Sequence, residues 1–342
     1  MRQHGLFAPT ASGPLGPHHF LLIYASWFIS RITGGTFIIL MEDDLATLSR
    51  GHLRDPIGDR DPSDLRPAAD YWAEHIMADL NHFGMGPSTD AELRAQGFDG
   101  KRPDGRTMGV RYQSDNVLTQ HYYRDVLRLE EDFGPWPPLQ PDGMAVCNEA
   151  MYLRACQPPE AVIHPYLILN WAIEEMSSGR TFAIDGDDLK GMMGQYTECA
   201  FRVHKRTGWP IPGHHFIPTL LWQQDALDPA AGVADGLAHL VPTTCLSSSS
   251  YAESGAGLTL REAVDAGIDR ETILAYMLEV AVEPAGRQLW TDTVDLNCTG
   301  LAEGKPIPLL QSMKRGAVVD ERDWHRFCAT GQVSKLRKKV RI

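Results

Sequence analysis

Residues 5–41 read GLFAPTASGPLGPHHFLLIYASWFISRITGGTFIILM, and this segment specifies how the chain begins to fold. It opens on a short apolar strand, Gly5-Leu6-Phe7-Ala8-Pro9, which breaks into a loop rich in glycine and proline. Apolar residues then recur at helical spacing from His18 to Arg31, and Gly34-Gly35 ends that helix before the β-rich run Thr36–Met41. A helix between two strands is a βαβ unit, so the sequence predicts a parallel sheet with a ligand crevice at the carboxyl ends of its strands.

Acidic residues stand at the ends of two predicted strands. Glu42-Asp43-Asp44 follows the strand that ends at Met41, and Asp185-Gly186-Asp187-Asp188 follows the strand-like Thr181–Ile184. We also predict helices over 69–83 and about 189–207, a loop-rich segment over 84–107 and a return to the sheet at 216–218. The predicted fold class is α/β, a doubly wound parallel sheet that an insertion interrupts between about residues 60 and 160.

The composition bounds the size and class of the protein. A length of 342 residues allows about two domains, and 43% hydrophobic with 22% charged residues is typical of a globular protein and excludes disordered chains. The 32 basic and 44 acidic residues give a net charge of −12, which disfavours non-specific binding to nucleic acid. The longest uncharged run, His18–Ser30, is too short to span a bilayer, and no signal peptide is visible, so we expect a cytoplasmic protein that binds no membrane.

Cysteine and histidine spacing gives no sign of a metal site. The six cysteines contain no C-x-x-C pair, which indicates reduced structural thiols. The gap between Cys147 and Cys156 does not fit a zinc knuckle, and His214-His215 is interpreted as a loop pair without zinc-binding spacing. We therefore expect neither a structural zinc nor another resident metal site.

Ordered sequence blocks cover residues 5–280. Phe7–Leu15 reads FAPTASGPL, Gly34–Asp43 reads GGTFIILMED and Ala183–Leu189 reads AIDGDDL. Further blocks are Ile76–Leu80 with Phe83-Gly84, Tyr112–Ser114, Gly255-Ala256, Leu260–Glu262 and Glu271–Tyr276. Together they resemble the catalytic core of the glutamyl/glutaminyl branch of class I aminoacyl-tRNA synthetases, whose corresponding motifs begin R-F-A-P-S-P-T-G-x-L, G-G-x-F-x-L-R-I-E-D and V-I-R-G-x-D-L.

The resemblance implies the architecture of that family: a Rossmann-like doubly wound sheet of the class I type, an inserted α+β subdomain similar to an acceptor-binding domain, and a C-terminal helical segment. The implied parts are 1–60 and 161–240 for the two halves of the catalytic domain, 61–160 for the insertion, 241–290 for the second-signature loop with a helical stem-contact segment, and 291–342 for an extension with a basic tail. Too few residues follow Ser249 for an anticodon-binding domain, so the chain is similar to the truncated glutamyl-Q-tRNA(Asp) synthetase type.

Both catalytic signatures of the family are altered here. HIGH corresponds to Gly16-Pro17-His18-His19, in which only His19 is in register, and KMSKS corresponds to Cys245–Ser249, which contains no lysine. The resemblance implies ATP with Mg²⁺ as cofactor and His19, Ser247 and Ser248 as catalytic positions. It implies nucleotide binding by Gly13, Gly16, His18, His19, Gly186, Asp188 and Leu189. Losing one stabilising donor costs about 2.7–4 kcal/mol, so we expect adenylation to be slowed by orders of magnitude.

The implied amino-acid pocket has lost both of the arginines that hold glutamate in the family, because Leu6 and Asp185 occupy their positions. A carboxylate about 4 Å from Asp185 would meet repulsion of up to about 4 kcal/mol, so we do not expect glutamate to be the substrate. Glu42 would hold the α-ammonium group, and Thr10 and Asp185 would help to select the substrate. The full implied set is Leu6, Ala8, Thr10, Glu42, Leu167, Trp171 and Asp185.

Two assignments in that pocket have alternatives. A slip of one residue would put Tyr166 and Asn170 in place of Leu167 and Trp171. Asp185 and Asp188 could instead cap the helix that follows them, because aspartate accepts hydrogen bonds from the free N–H groups of a helix start.

Three functions fit the sequence. The first is a synthetase-like enzyme that activates or transfers a non-glutamate amino acid to tRNA or to a small acceptor. The second is a non-catalytic paralogue that binds nucleotide, RNA or protein, and the third is an ATP-independent transferase that uses aminoacyl-tRNA. An amino acid or amine is the expected substrate in the enzymatic cases, with tRNA or aminoacyl-tRNA as a partner. The basic tail with Lys335 is a solvated end in the simplest interpretation.

Overall fold

The computed structural model of the chain describes residues 2–11, 13–43, 66–98, 107–112, 165–218, 220–223, 243–245, 258–291 and 298–333. The predicted positions Ser247 and Ser248, the cysteines Cys147 and Cys156, and the basic tail from residue 334 lie outside these residues.

The first half of the sheet contains the predicted βαβ unit. Strand β1 (Gly5–Phe7), helix α1 (Pro17–Ile32) and strand β2 (Phe37–Met41) follow one another, and β1 pairs with β2 in parallel. Strand β3 (Val110–Tyr112) extends the sheet in parallel on the other side of β2. Gly34 has φ +66°, a left-handed conformation that glycine adopts without strain, and it turns the chain from α1 into β2. This part of the sequence-based prediction is confirmed.

The second half of the sheet is another parallel pair. Helix α4 (Pro165–Ser177) precedes strand β4 (Phe182–Gly186), and helix α5 (Met193–Thr207) precedes strand β5 (Gly213–Ile217), which pairs with β4 in parallel. The predicted helix over 189–207 is divided, because residues 187–192 form a 3₁₀ helix before α5 begins. Glycines at 191 and 194 lower the α-helical propensity of this first part.

The two halves meet between β1 and β4. The carbonyl oxygen of His4 accepts the N–H of Thr181 at 2.9 Å, so the two strands start side by side. Arg180 is buried beside this seam and donates to the carbonyl oxygens of Gly5 (3.2 Å) and Ser178 (2.8 Å). The two sheets, β3-β2-β1 and β4-β5, thus lie side by side at this seam, and the direction of winding reverses between β1 and β4. In doubly wound folds ligands bind at that reversal, outside the carboxyl ends of the strands.

The helices between the two halves of the sheet agree only in part with those predicted from the sequence. Helix α2 (Arg66–His82) covers the predicted helix, whereas helix α3 (Asp90–Ala95) lies inside the segment predicted to be loop-rich. Thr89 accepts the N–H of Glu92 through its hydroxyl, and Glu92 accepts the N–H of Thr89 through its carboxylate. This capping box, T-x-x-E, was the signal in the sequence for a helix start.

The C-terminal part packs against the same core. Its elements are α6 (Leu260–Asp265), α7 (Arg270–Ala281), 3₁₀ helices at Pro284–Trp290 and Leu301–Glu303, α8 (Pro308–Gln311) and α9 (Glu321–Thr330). A small sheet in the order β7-β6-β8 joins β6 (Leu221–Gln223), β7 (Thr243–Cys245) and β8 (Val318–Asp320). Trp324 and Phe327 of α9 belong to one apolar core with residues of α1, β2 and α7. No helix among the described residues combines the length and apolarity needed to cross a membrane.

Candidate active site

Thr10 and Glu42 lie together where β1 and β2 end. The Thr10 hydroxyl donates a hydrogen bond of 2.7 Å to Oε2 of Glu42. Main-chain bonds fix the pair, because the Ala11 N–H donates to the Glu42 carbonyl (3.0 Å) and the Glu42 N–H donates to the Pro9 carbonyl (2.9 Å). A partly exposed carboxylate is thus held in place at the edge of the sheet where doubly wound folds bind ligands.

Helix α1 begins in the loop that follows β1. Gly16 is its N-cap residue, and the Gly16 N–H donates to Nδ1 of His19 at 3.0 Å. Nδ1 therefore carries no proton, and Nε2 is the ring nitrogen that holds it. Burial lowers the pKa of His19 to about 4, so the imidazole is neutral at pH 7. The first turn of α1 has no acidic side chain, which suits an anion at the helix N-terminus, but His19 adds no positive charge there.

A second cluster lies on the neighbouring strands, and we call Glu175, Asp185 and His214 the His214 group. Nδ1 of His214 is 3.1 Å from Oδ2 of Asp185, and Nε2 is 3.2 Å from Oε2 of Glu175. The strands explain the first contact: His214 of β5 pairs with Ala183 of β4, and Asp185 projects from the same face as Ala183 because side chains alternate along a strand. Glu175 comes from α4, which covers this face.

Two aromatic residues enclose the His214 group. Tyr196 of α5 donates a 2.6 Å hydrogen bond from its hydroxyl to Oε2 of Glu175, and its ring lies 4.3 Å from the imidazole, centre to centre. Trp171 of α4 packs edge-on against the imidazole at 5.5 Å and against the Tyr196 ring at 4.6 Å. These rings exclude water, which strengthens the electrostatic interactions inside the group.

The carboxylates keep His214 protonated. Burial alone would lower the pKa of His214, but Glu175 and Asp185 outweigh burial and raise this pKa to about 10. Burial raises the pKa of Asp185, and the hydrogen bond from His214 opposes that change. Burial beside Glu175 raises the pKa of the Tyr196 hydroxyl well above its usual value, so the phenol stays protonated. Oε2 of Glu175 accepts the hydrogen bond from Tyr196 and lies 3.2 Å from Nε2 of His214.

This electrostatic arrangement predicts a pH-dependent stability. A raised pKa in the folded state means that protonated His214 stabilises the fold fully below its unfolded pKa of 6.5, and that this stabilisation is lost as the pH rises towards about 10. We expect the urea midpoint of the wild type to fall more steeply over that interval than the midpoint of His214→Gln. His204→Gln, which changes an exposed histidine on α5, is the control and should follow the wild type. Equal slopes for wild type and His214→Gln would contradict the assigned charge.

The structure brings together two pairs of the predicted site residues. Thr10 and Glu42 are hydrogen-bonded, and Trp171 and Asp185 both contact His214. Leu6 is buried against Ile38 and Leu93 in a separate apolar cluster, and Ala8 packs against the same cluster. These contacts identify no ligand, so the binding roles of all these residues stay predictions.

The remaining predicted residues lie near the start of α1 and after β4. Gly13 and Gly16 belong to the loop before α1, Gly186 is the N-cap residue of the 3₁₀ helix, and Leu189 lies within that helix. The backbones of His18, Leu167 and Asp188 lie in helices, but their side chains are outside the described part of the structure. The interpretation of Asp185 as a helix cap is wrong, because the 3₁₀ helix has no side-chain cap and Asp185 binds His214 instead.

Two members of the His214 group, Glu175 and His214, and the adjoining Tyr196 were not predicted as site residues from the sequence. The interpretation of His214-His215 as a loop pair is wrong, because both lie in β5, where His215 is buried and its Nε2 contacts the Leu301 carbonyl at 2.7 Å. One signal was present in the sequence. Glu174-Glu175 interrupts an otherwise apolar helical run, and an acid on a buried helix face needs a partner.

Within the described residues, the site contains neither a metal-binding group nor a reactive thiol. No group of three potential metal ligands there has an arrangement that could hold a metal ion. Cys199 is a buried free thiol, and burial raises its pKa to about 11, which keeps it protonated and unreactive at neutral pH.

Comparisons with solved structures return aminoacyl-tRNA synthetases. A glutamate tRNA ligase from Elizabethkingia meningosepticum, crystallised with its amino acid, is 12% identical, with a TM-score of 0.49 over 96% of this chain and 69% of that chain. A glutamate-tRNA synthetase from Elizabethkingia anophelis is 13% identical, with a TM-score of 0.48 over 95% and 70%. A tyrosyl-tRNA synthetase from Archaeoglobus fulgidus, complexed with L-tyrosine, is 14% identical, with a TM-score of 0.39 over 68% and 59%. No protein-family model and no curated protein matches the chain. Similarities this distant assign no activity.

Proposed function

We propose that the protein is a divergent synthetase-like enzyme that activates a non-glutamate amino acid, or transfers it to tRNA or to a small acceptor. The observation that carries this proposal is the hydrogen-bonded pair Thr10–Glu42, which lies at the carboxyl ends of β1 and β2 and beside the reversal of strand order. A fixed, partly exposed carboxylate in this position is suited to the α-ammonium group of an amino acid.

Glu42 binds the ammonium group, and Thr10 orients Glu42. The Thr10 hydroxyl donates to Oε2, which fixes the rotamer of the carboxylate before the substrate arrives. A preordered acceptor loses less conformational freedom on binding, so more of the interaction energy contributes to affinity.

The His214 group disfavours an acidic substrate. Asp185 and Glu175 bring two carboxylates, and His214 brings one cation, so one negative charge remains uncompensated. Asp185 is the exposed end of the group, with 19% of its side chain accessible. A glutamate side chain near it would meet repulsion, which agrees with the loss of the family's arginines at positions 6 and 185.

The N-terminus of α1 has some, but not all, of the features that bind the phosphates of ATP. The dipole of a 16-residue helix favours a phosphate at its N-terminus, but Pro17 has no N–H and the His19 N–H donates to the Gly16 carbonyl. When bound, ATP would supply the activated phosphate that the substrate carboxylate attacks. The segment Cys245–Ser249 offers no lysine to neutralise the charge that develops, so we expect slow adenylation.

Amino-acid-dependent exchange of pyrophosphate into ATP tests the activation step. We expect exchange with at least one neutral or basic amino acid and none with glutamate. Exchange with glutamate alone would contradict the proposal. If no amino acid supports exchange, activation is excluded, and turnover of charged tRNA without ATP separates the ATP-independent transferase from a non-catalytic paralogue.

Glu42→Gln is expected to weaken amino-acid binding about 10- to 100-fold, because it replaces a charged acceptor of the ammonium group with a neutral one of the same shape. The dissociation constant is measured by titration calorimetry, with the amino acid that raises the melting temperature of the wild type most. Glu198→Gln, on the exposed side of α5, is the control and should bind as the wild type does. An unchanged dissociation constant for Glu42→Gln would rule Glu42 out as the ammonium-binding group.

A further inference from the structure

We propose that Asp185, positioned by His214 and Glu175, makes the site selective for an amino acid whose side chain ends in a cation. This inference rests on the proposed function and specifies the class of its substrate. An ammonium or a guanidinium group would pair with Asp185, while Glu42 holds the α-ammonium group.

The side chains of the His214 group become more accessible from the interior of the protein towards its surface. The accessible fraction of the side chain rises from 1% at Glu175 to 5% at His214 and 19% at Asp185. Asp185 is therefore the member of the group most accessible to a ligand, and it lies near the end of β4, next to the reversal of strand order. His214 and Glu175 lie deeper in the protein and position Asp185 without contacting the substrate.

The charges around Asp185 sum to a net negative charge that one more cation would neutralise. His214 is shared between two carboxylates, Glu175 and Asp185, and so it compensates only one of them. The neighbouring His215 adds no charge, because burial lowers its pKa. Lys190, on the 3₁₀ helix after β4, lies 3.8 Å from Asp187, which partly compensates its charge. A cationic side chain would balance the remaining negative charge, and a neutral or acidic one would not.

His214 also fixes the direction of the Asp185 carboxylate. Nδ1 of His214 hydrogen-bonds to Oδ2 of Asp185, Oε2 of Glu175 lies 3.2 Å from Nε2 at ion-pair distance without hydrogen-bond geometry, and Trp171 and Tyr196 pack against the ring. The imidazole cannot rotate without breaking both contacts. His214 is thus a positioning residue, and Asp185 is the residue that determines specificity.

Matched pairs of amino acids test this selectivity. Lysine is compared with norleucine, which has the same carbon chain without the ammonium group, and arginine is compared with citrulline, which is its neutral analogue. Binding is measured by titration calorimetry on the full chain. We expect the cationic member of at least one pair to bind the wild type about 10- to 100-fold more tightly than its neutral partner.

Three variants separate selectivity from folding. Asp185→Asn preserves the shape and an acceptor for His214, and it should bring the ratio of the two affinities close to one. His214→Gln should reduce the ratio, because Asp185 loses its fixed direction. Asp187→Asn removes the same charge two residues along the chain, from a partly exposed position paired with Lys190, and it should retain the wild-type ratio. The ratio compares two ligands on the same folded protein, so a loss of stability alone does not change it.

The outcomes distinguish this inference from the proposed function. If neutral amino acids bind through Glu42 as tightly as cationic ones, the selectivity is wrong and the proposed function stands. If the amines cadaverine and agmatine bind in a manner that depends on Asp185 while no amino acid binds, the cation site stands and the proposed function is wrong. An unchanged ratio in Asp185→Asn, or equal loss in Asp187→Asn, would overturn the assignment of Asp185.

Discussion

Replacing Glu175 with alanine is expected to lower the free energy of unfolding by about 3–5 kcal/mol, the cost of breaking a buried ion pair by removing one partner. The variant would leave the Nε2–H of His214 and the hydroxyl of Tyr196 facing a cavity in an apolar environment. Protonated His214 would then retain only Asp185 as its counter-ion. Chemical denaturation of the full chain, followed by circular dichroism, provides the measurement.

Two further variants make this prediction specific. Glu175→Gln retains an oxygen that can accept from Tyr196, so it should lose less stability than Glu175→Ala. Glu198→Ala removes an exposed glutamate of α5 that pairs with Arg202, and it should change stability by less than about 1 kcal/mol. If Glu175→Ala costs no more than Glu198→Ala, the His214 group is not the buried network described above.

Trp324→Ala is expected to have an effect of similar size, about 3–5 kcal/mol, because it empties a large space in the core. Trp324 is completely buried, its indole N–H donates to Glu262 at 3.1 Å, and its ring packs on Tyr276. The same denaturation experiment measures the change. Residues 298–333 thereby contribute to the main core, although the sequence presents them as an extension.

Phe201→Ala is the matched control for this aromatic deletion. Phe201 lies on α5 with 54% of its surface exposed, so its removal should change stability by less than about 0.5 kcal/mol. A loss below about 1 kcal/mol for Trp324→Ala would mean that α9 unfolds separately from the core.

The sequence predicted the parts of the fold that depend on local patterns. The β1–α1–β2 unit has an uninterrupted apolar helix between two buried strands, and Gly34-Gly35 marks the turn, so its type and order were evident. Helix α3 was missed, because a helix of 6 residues has too few apolar positions to establish a period, and only its capping box indicated it.

Sequence patterns predicted site residues where they follow strands directly, and Trp171 of α4 was predicted through the family resemblance alone. Glu42 and Asp185 come at strand ends, and these positions were identified as candidates. Glu175 and His214 lie in regular elements, and their meeting depends on the register of β4 with β5 and on how α4 packs across them. Such contacts join residues distant along the chain, and no local pattern contains them.

The thermal shift of the wild-type chain with each proteinogenic amino acid, with and without ATP, tests most directly whether this is an amino-acid site. A ligand that binds only the native state raises the melting temperature by mass action, even where catalysis is slow. We predict a rise with basic amino acids that Glu42→Gln and Asp185→Asn both reduce, and no rise with glutamate. A shift specific to glutamate, or no shift with any amino acid in either condition, would contradict the proposed function.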